Sequence, residues 1–467
     1  MANYYDELLK LCGFEEDEIN KERPRIEKAF QKLELDAEDM KVAESWVRQN
    51  HDIELVGTRK ILRLWLKELF DLVLAKEEGK KLVYYGFPTI PGPSAAIAAA
   101  SDELYCTCPD AVLCHTLGHI FNKLTPILEA GEENGLPPGH GLCSLQQVRV
   151  GGLAKGIIPV PDLALTSSYF CDMGSKTDEL LHQRYGHPAI YVDGSMDSRW
   201  GEFPHYQPQR VDFLGGQIDM GLDKVKDILG VEVTEEARHE GASRGREIFG
   251  ALSELVELMK QADPQPISIV TVEIARRLGS GSASRRIISE GPKVVAILNQ
   301  EVRERIDKGI GVVEKGVPRI MIYLGHFSDP SIMRMIEGCG LSIPETYLAA
   351  VYSKFRRATP FISGEILAKE EMARGSFHGL YGYIKRVAEV AADSNLDGII
   401  WNYLYNCRPL SLPSHLLKQF VEKEAGVPVL SLESDLADSR SYSAEALRTR
   451  VETFADMLRA RKVSTTV

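Results

Sequence analysis

Over residues 1–80 apolar side chains recur at helical spacing, as in ELLKLCGF, RIEKAFQKLEL and GTRKILRLWLKELFDLVLAKEEG, and almost no run alternates as a strand does. The pattern predicts a helical N-terminal segment. From residue 81 the texture changes to short apolar runs, KLVYYGF, DELYCTC, LALTSSYFCD and AIYVDGS, separated by helical stretches. The long amphipathic stretch EEARHEGASRGREIFGALSELVELMKQ closes this region, and the alternation predicts an α/β lobe with a parallel sheet over 81–265. ADPQPIS reads as a linker. Strand and helix patterns then resume with KVVAILNQEVRERI, RIMIYLGHF, LSIPETYL, GIIWNYL and VPVLSLESD, with helices from Pro330, through YIKRVAEVAADS and from Pro413. This is a second α/β lobe over 266–467, ending in the helix AEALRTRVETFADMLRARK. No short repeat of fixed period is visible.

Composition narrows the classes. The 44% apolar and 26% charged residues are those of a chain that buries a core rather than one that stays disordered. With 55 Lys and Arg against 67 Asp and Glu, the net charge of −12 works against a grip on nucleic acid or anionic lipid. No apolar run approaches the roughly 20 residues that span a bilayer. The acidic start MANYYDELLKLCGFEEDEI lacks a basic-then-apolar leader, so the expected location is cytoplasmic.

A reducing compartment makes the eight cysteines candidates for metal chemistry rather than for disulfides. A lone cysteine is most often a small buried hydrophobe, and Cys12 on an amphipathic helix fits that description. The others are crowded or well placed. CTCPDAVLCH packs Cys106, Cys108 and Cys114 beside a strand end, Cys171 closes LALTSSYFCD, Cys407 lies just past GIIWNYL, and Cys143 sits in GHGLCSLQQ. Loops beyond the carboxyl ends of parallel strands line the crevice where ligands bind, so loops from two lobes can gather thiolates there. Zinc on Cys106, Cys108, Cys114 and either His115 or His119 is one reading. It leaves Cys143, Cys171 and Cys407 without a role, whereas iron–sulfur clusters accept thiolates from scattered loops. Reduction also consumes protons: His115, His119, His140 and His326 fall near the cleft loops, with His119 and His326 the candidate donors and Glu103, Asp110 and Glu337 weaker acids. RLGSGSASRR does not follow a strand and open a helix as a dinucleotide fingerprint does; it reads as a solvated basic loop able to meet a CoA phosphate or a partner.

At LCSLQQ around Cys143, TSSYFCD around Cys171, DGIIWNYLYNCRP around Cys407 and the tail GVPVLSLESD followed by LRTRVETF, the chain resembles the 2-hydroxyacyl-CoA dehydratase and benzoyl-CoA reductase superfamily over about residues 80–460. The resemblance implies two flavodoxin-like lobes with a [4Fe–4S] cluster between them, held by Cys143, Cys171 and Cys407. It implies electrons from a separate activator ATPase with its own [4Fe–4S] cluster, and a homodimer working anaerobically on a CoA thioester or another small molecule. This chain has no GxxxxGK[ST] loop of its own. Cys106, Cys108, Cys114 and Cys339 exceed the three-cysteine pattern, which points to the double-cubane branch. An [8Fe–9S] centre, with eight irons of which two carry the bridging sulfide, leaves six positions for thiolates. Seven candidates are present, Cys339 being the weakest. The two readings are a low-potential double-cubane reductase and a dehydratase or benzoyl-CoA reductase subunit with one cubane.

Overall fold

The computed structural model describes residues 3–86, 91–137, 143–168, 171–194, 205, 207–281, 284–323, 328–346, 364–373, 379–407, 411 and 414–465. The N-terminal segment is helical, as its periodicity requires: α1 (Asp6–Leu11), α2 (Glu16–Lys32), α3 (Ala37–Asn50) and α4 (Val56–Leu74). Asp36 starts α3 by accepting the amides of Glu38 and Asp39 at 2.9 and 3.0 Å, while Asp39 takes the Asp36 amide at 2.9 Å, a reciprocal cap. Helix α4 is buried nearly all round, which marks it as the segment's central helix.

The first lobe runs β1 (Lys81–Tyr85), α5 (Pro91–Ala100), β2 (Leu104–Thr107), α6 (Pro109–Leu113), a π turn over Cys114–Gly118, α7 (Thr125–Glu133), α8 (Ser144–Ala154), β3 (Leu163–Ser167), α9 (Asp172–Tyr185), β4 (Ala189–Val192), α10 (Pro208–Leu229) and α11 (Glu235–Gln261). After α12 (Ile269–Gly281) and α13 (Arg285–Asp307), the second lobe runs β5 (Arg319–Tyr323), α14 (Pro330–Gly338), β6 (Ser342–Thr346), α15 (Gly364–Ala373), α16 (Gly379–Asp393), β7 (Gly398–Leu404), α17 (Ser414–Ala425), β8 (Val429–Ser434) and α18 (Ala444–Thr465). Each lobe holds a four-stranded parallel sheet, ordered β2-β1-β3-β4 and β6-β5-β7-β8. The two orders are the same walk through the sheet, so the lobes share the flavodoxin-like winding. In each, the chain reverses direction across the sheet between the first and third strands, opening a crevice at their carboxyl ends.

Three stretches depart from expectation. KVVAILNQEVRERI lies wholly within α13, where Val294, Val295, Leu298 and Val302 form a buried helical stripe packed against α4 and α11. The linker segment is packed: Gln265, Ile267 and Ser268 are buried, and Gln265 donates to Glu337 at 2.7 Å. Over its described residues RLGSGSASRR is no solvated loop either. Arg277, with Arg276 before it, is buried in α12 and ion-paired with Glu273, and Ser284 caps α13 by accepting the Ile287 amide at 3.2 Å.

Helices α7 and α8 cross without side chains between them. A Cβ on Gly151 would lie 1.8 Å from the Ile127 carbonyl oxygen, and one on Gly131 2.3 Å from that of Gln147. Gly151→Ala must push α8 off α7, and we expect a loss of about 1–3 kcal/mol in urea unfolding, with Gly156→Ala, next to open space but at positive φ, as the backbone control.

Candidate functional site

The crevices of both sheets collect cysteines. Cys171 follows the end of β3 and caps α9, Cys407 follows the end of β7, and Cys143 caps α8 from the loop before it. All three are half-buried and outside any disulfide. Burial pushes the Cys143 thiol up, and Asp435, Cys407 and Cys171 push it further, so the sulfurs of Cys407 and Cys171, one from each lobe, lie within electrostatic reach of Cys143. The Leu145 amide at the start of α8 is turned to the Cys143 sulfur. Helix starts present N–H groups and partial positive charge, which favour an anionic sulfur there.

A carboxylate ties these loops together. Asp435, at the end of β8, accepts from the Ser144 hydroxyl beside Cys143 and from the Asn406 amide beside Cys407. It also accepts the amides of Ala437 at 2.8 Å and Asp438 at 3.0 Å, and the Ala437 amide reaches Ser144 Oγ at 3.0 Å. Asp435 and Ser144 are almost fully buried.

A second buried charge lies on α8. Arg149 is 1% exposed, with Nη1 2.9 Å from Asp178 Oδ1 and Nε 3.5 Å from Asp110 Oδ1. It lies within electrostatic reach of the thiols of Cys108 and Cys143. Sequence reasoning misses Arg149, Asp178, Asp435, Ser144 and Asn406. Ser144 and Asn406 adjoin candidate cysteines and Asp435 stands inside the tail GVPVLSLESD, so position could have found them; nothing in VRV sets Arg149 apart from a surface arginine.

The remaining candidates are dispersed. Cys106 and Cys108 are buried on the face of the first sheet that packs on α5, whereas Cys114 belongs to the core on the other face. Burial is the main cause raising the Cys114 thiol, followed by Asp110 and Cys108. The Cys106 thiol, also raised by burial, faces Arg285. Cys339 ends α14 three residues before β6, at the amino edge of the second sheet; its thiol lies 4.0 Å from Met335 Sδ and faces Arg448, Glu452 and Arg459 of α18. Among the described residues no three His, Cys, Asp or Glu side chains converge on a single-ion site, as tetrahedral zinc on the CTCPDAVLCH loop would require. A cubane distributes its ligands over separate irons, so thiols spaced across a cleft fit it.

His119 is buried, stacked on His115 with ring centres 5.3 Å apart, and His115 stacks on Trp65 at 4.7 Å. The His51 Nε2–H donates to the His119 carbonyl at 3.1 Å. Burial holds His115 down at about 3 and His51 at about 4, so both are neutral near pH 7. His140 and His326 lie outside the described residues. Glu103 is exposed at the amino edge of β2, Asp110 pairs with Arg149, and Glu337, raised to about 7 by burial, accepts from Gln265, Ser268 and the Ile269 amide. Among the described residues no helix is long and apolar enough to cross a membrane.

Removing the Asp435 carboxylate takes an acceptor from four buried donors, of which the Ala437 amide alone keeps a second one, so Asp435→Ala should lose on the order of 3 kcal/mol or more in urea unfolding. His51, neutral in the fold while the unfolded chain takes a proton below about 6.5, gives stability that is full above that pH and lost as the pH falls toward 4. The slope is at most about 1.4 kcal/mol per pH unit. Urea midpoints at pH 7 and pH 5 should converge in His51→Gln relative to the parent; an unaltered difference would contradict this.

Comparison with known proteins adds a last observation. The family model described as 2-hydroxyglutaryl-CoA dehydratase, D-component, matches residues 106–458. The chain is 18% identical over 308 residues to the alpha subunit of (R)-2-hydroxyglutaryl-CoA dehydratase of Acidaminococcus fermentans, covering 65% of this chain and 61% of that protein. It is 18% identical over 327 residues to the (R)-phenyllactyl-CoA dehydratase alpha subunit of Clostridium sporogenes, 69% of this chain and 77% of that one. It is 21% identical over 346 residues to a benzoyl-CoA reductase subunit of Thauera aromatica, 68% of this chain and 78% of that one.

Proposed function

The chain belongs to the 2-hydroxyglutaryl-CoA dehydratase D-component family, and on that premise we propose that it is an iron–sulfur enzyme subunit acting on a CoA thioester, with one [4Fe–4S] cluster on Cys143, Cys171 and Cys407. The observation that supports this is that half-buried Cys171 and Cys407, each past the end of the third strand of its sheet, lie within electrostatic reach of half-buried Cys143. A bound cluster would supply low-potential electron transfer. The chain's own residues would hold it: α8 and α9 present their amino ends to Cys143 and Cys171, and Asp435 fixes the neighbours of Cys143 and Cys407. A separate ATPase with its own [4Fe–4S] cluster would deliver the electrons. Relatives named as subunits support work in an assembly, the expected minimum being a dimer. His119 and His326 stay proposed proton donors.

One observation favours a second reading, the [8Fe–9S] double cubane of a small-molecule reductase. Cys108 helps raise the Cys114 thiol, and Cys108 and Cys143 both act on Arg149. Six thiolates would then be drawn from seven, with Cys339, a strand length away at the other sheet edge, left over, and Cys106 required to turn from the α5 face.

Anaerobic purification with iron and acid-labile sulfide counting separates the readings: about four irons per chain supports the first and about eight the second. Cys143→Ala, Cys171→Ala and Cys407→Ala should each empty the site, whereas Cys339→Ala and Cys12→Ala should keep full iron. Zinc without sulfide, or full iron in Cys171→Ala, would overturn both.

A further inference from the structure

Arg149 is buried at a cost that packing does not explain. Its side chain is 1% exposed, and none of its three guanidinium nitrogens has a well-aligned hydrogen-bond acceptor among the described residues, although Asp178 and Asp110 lie at ion-pair distance. Desolvating a guanidinium costs several kcal/mol, which loose pairing recovers poorly. The fold nonetheless keeps a place for it. A Cβ on Gly86, just past the end of β1, would lie 2.0 Å from Arg149 Nη1, so the chain leaves the first crevice open for this group. Helix α8, which Cys143 caps, brings Arg149 to that crevice within two turns, and the crossing at Gly131 and Gly151 fixes the helix.

We infer that Arg149 is a positioning and charge-compensating residue for the thiolate-held cluster, placed to stabilise the added negative charge of the reduced state. The inference rests on the cluster reading above and adds to it a residue that is not itself a ligand. Charge near a cluster and donors aimed at its sulfurs are the levers by which a protein sets its potential. Arg149 stands on the helix that Cys143 caps, within electrostatic reach of the Cys108 and Cys143 sulfurs, and its three guanidinium nitrogens have no aligned acceptor among the described residues. Asp178, at 2.9 Å, offsets part of that charge, so the two residues should act in opposite directions.

The test is a reductive titration of anaerobically purified protein at fixed pH, followed by electron paramagnetic resonance, with iron and sulfide counted in each sample. Arg149→Met should keep its iron and move the midpoint to more negative potential by at least a tenfold change in the one-electron equilibrium, about 59 mV. Arg149→Lys should recover part of the shift, and Asp178→Asn should move the midpoint to more positive potential. Full iron with unmoved midpoints in Arg149→Met and Asp178→Asn overturns the inference. If Arg149→Met fails to fold or load, Asp178→Asn decides alone, by a positive shift or by none. Parent protein without iron and sulfide would instead overturn the cluster reading, a separate outcome.

Discussion

A buried carboxylate that accepts four hydrogen bonds is tolerable only while all four donors stay in place, and Asp435 imposes that condition on two loops from different lobes. Ser144 opens the first turn of α8, and Asn406 stands at the exit of β7. With their partner at the end of β8, they form a joint that ties together parts of the chain lying far apart in sequence. Moving either lobe relative to the other strands polar groups in a dry interior. The relative position of the two crevices is thereby fixed, and with it the separation of the thiols that flank them.

The two sheets supply the rest by repetition. The same strand order in each lobe means the same reversal point, and a cysteine follows the carboxyl end of the third strand in both, Cys171 in one and Cys407 in the other. The lobes then differ in what they add. The first contributes Cys143 and Arg149 on one helix; the second contributes the carboxylate joint. A site assembled from two similar crevices facing each other is asymmetric in its charges though nearly symmetric in its scaffold.

Much of this is legible in the chain. The change of apolar spacing near residue 81 marks the passage from helices to alternating strands, and the four apolar runs of the first lobe coincide with its four strands. KVVAILNQEVRERI is ambiguous because a short apolar run serves a buried helix and a buried strand equally well; its neighbours at i+4 and i+8 decide for the helix only once α4 and α11 are seen to cover it. RLGSGSASRR misleads for another reason: glycines and arginines read as solvated until Glu273 is found beside Arg276 and Arg277. Cysteines can be picked out by residue type, whereas Arg149 and Asp435 acquire meaning only from what the fold brings to them from afar.

The family match begins at residue 106, inside β2, yet the N-terminal helices are not an appendage. Trp65 donates to the Ile274 carbonyl at 3.0 Å and stacks on His115, His51 donates to the carbonyl of His119, and Asp52 pairs with Arg334 of α14 at 2.7 Å. The helices thus brace the π turn of one lobe and a helix of the other. The limits of shared ancestry and the limits of autonomous folding fall at different places in this chain: a fragment cut to the matched region would expose the apolar floor on which α4 rests, and β2 would lose its neighbour β1 and the sheet its order.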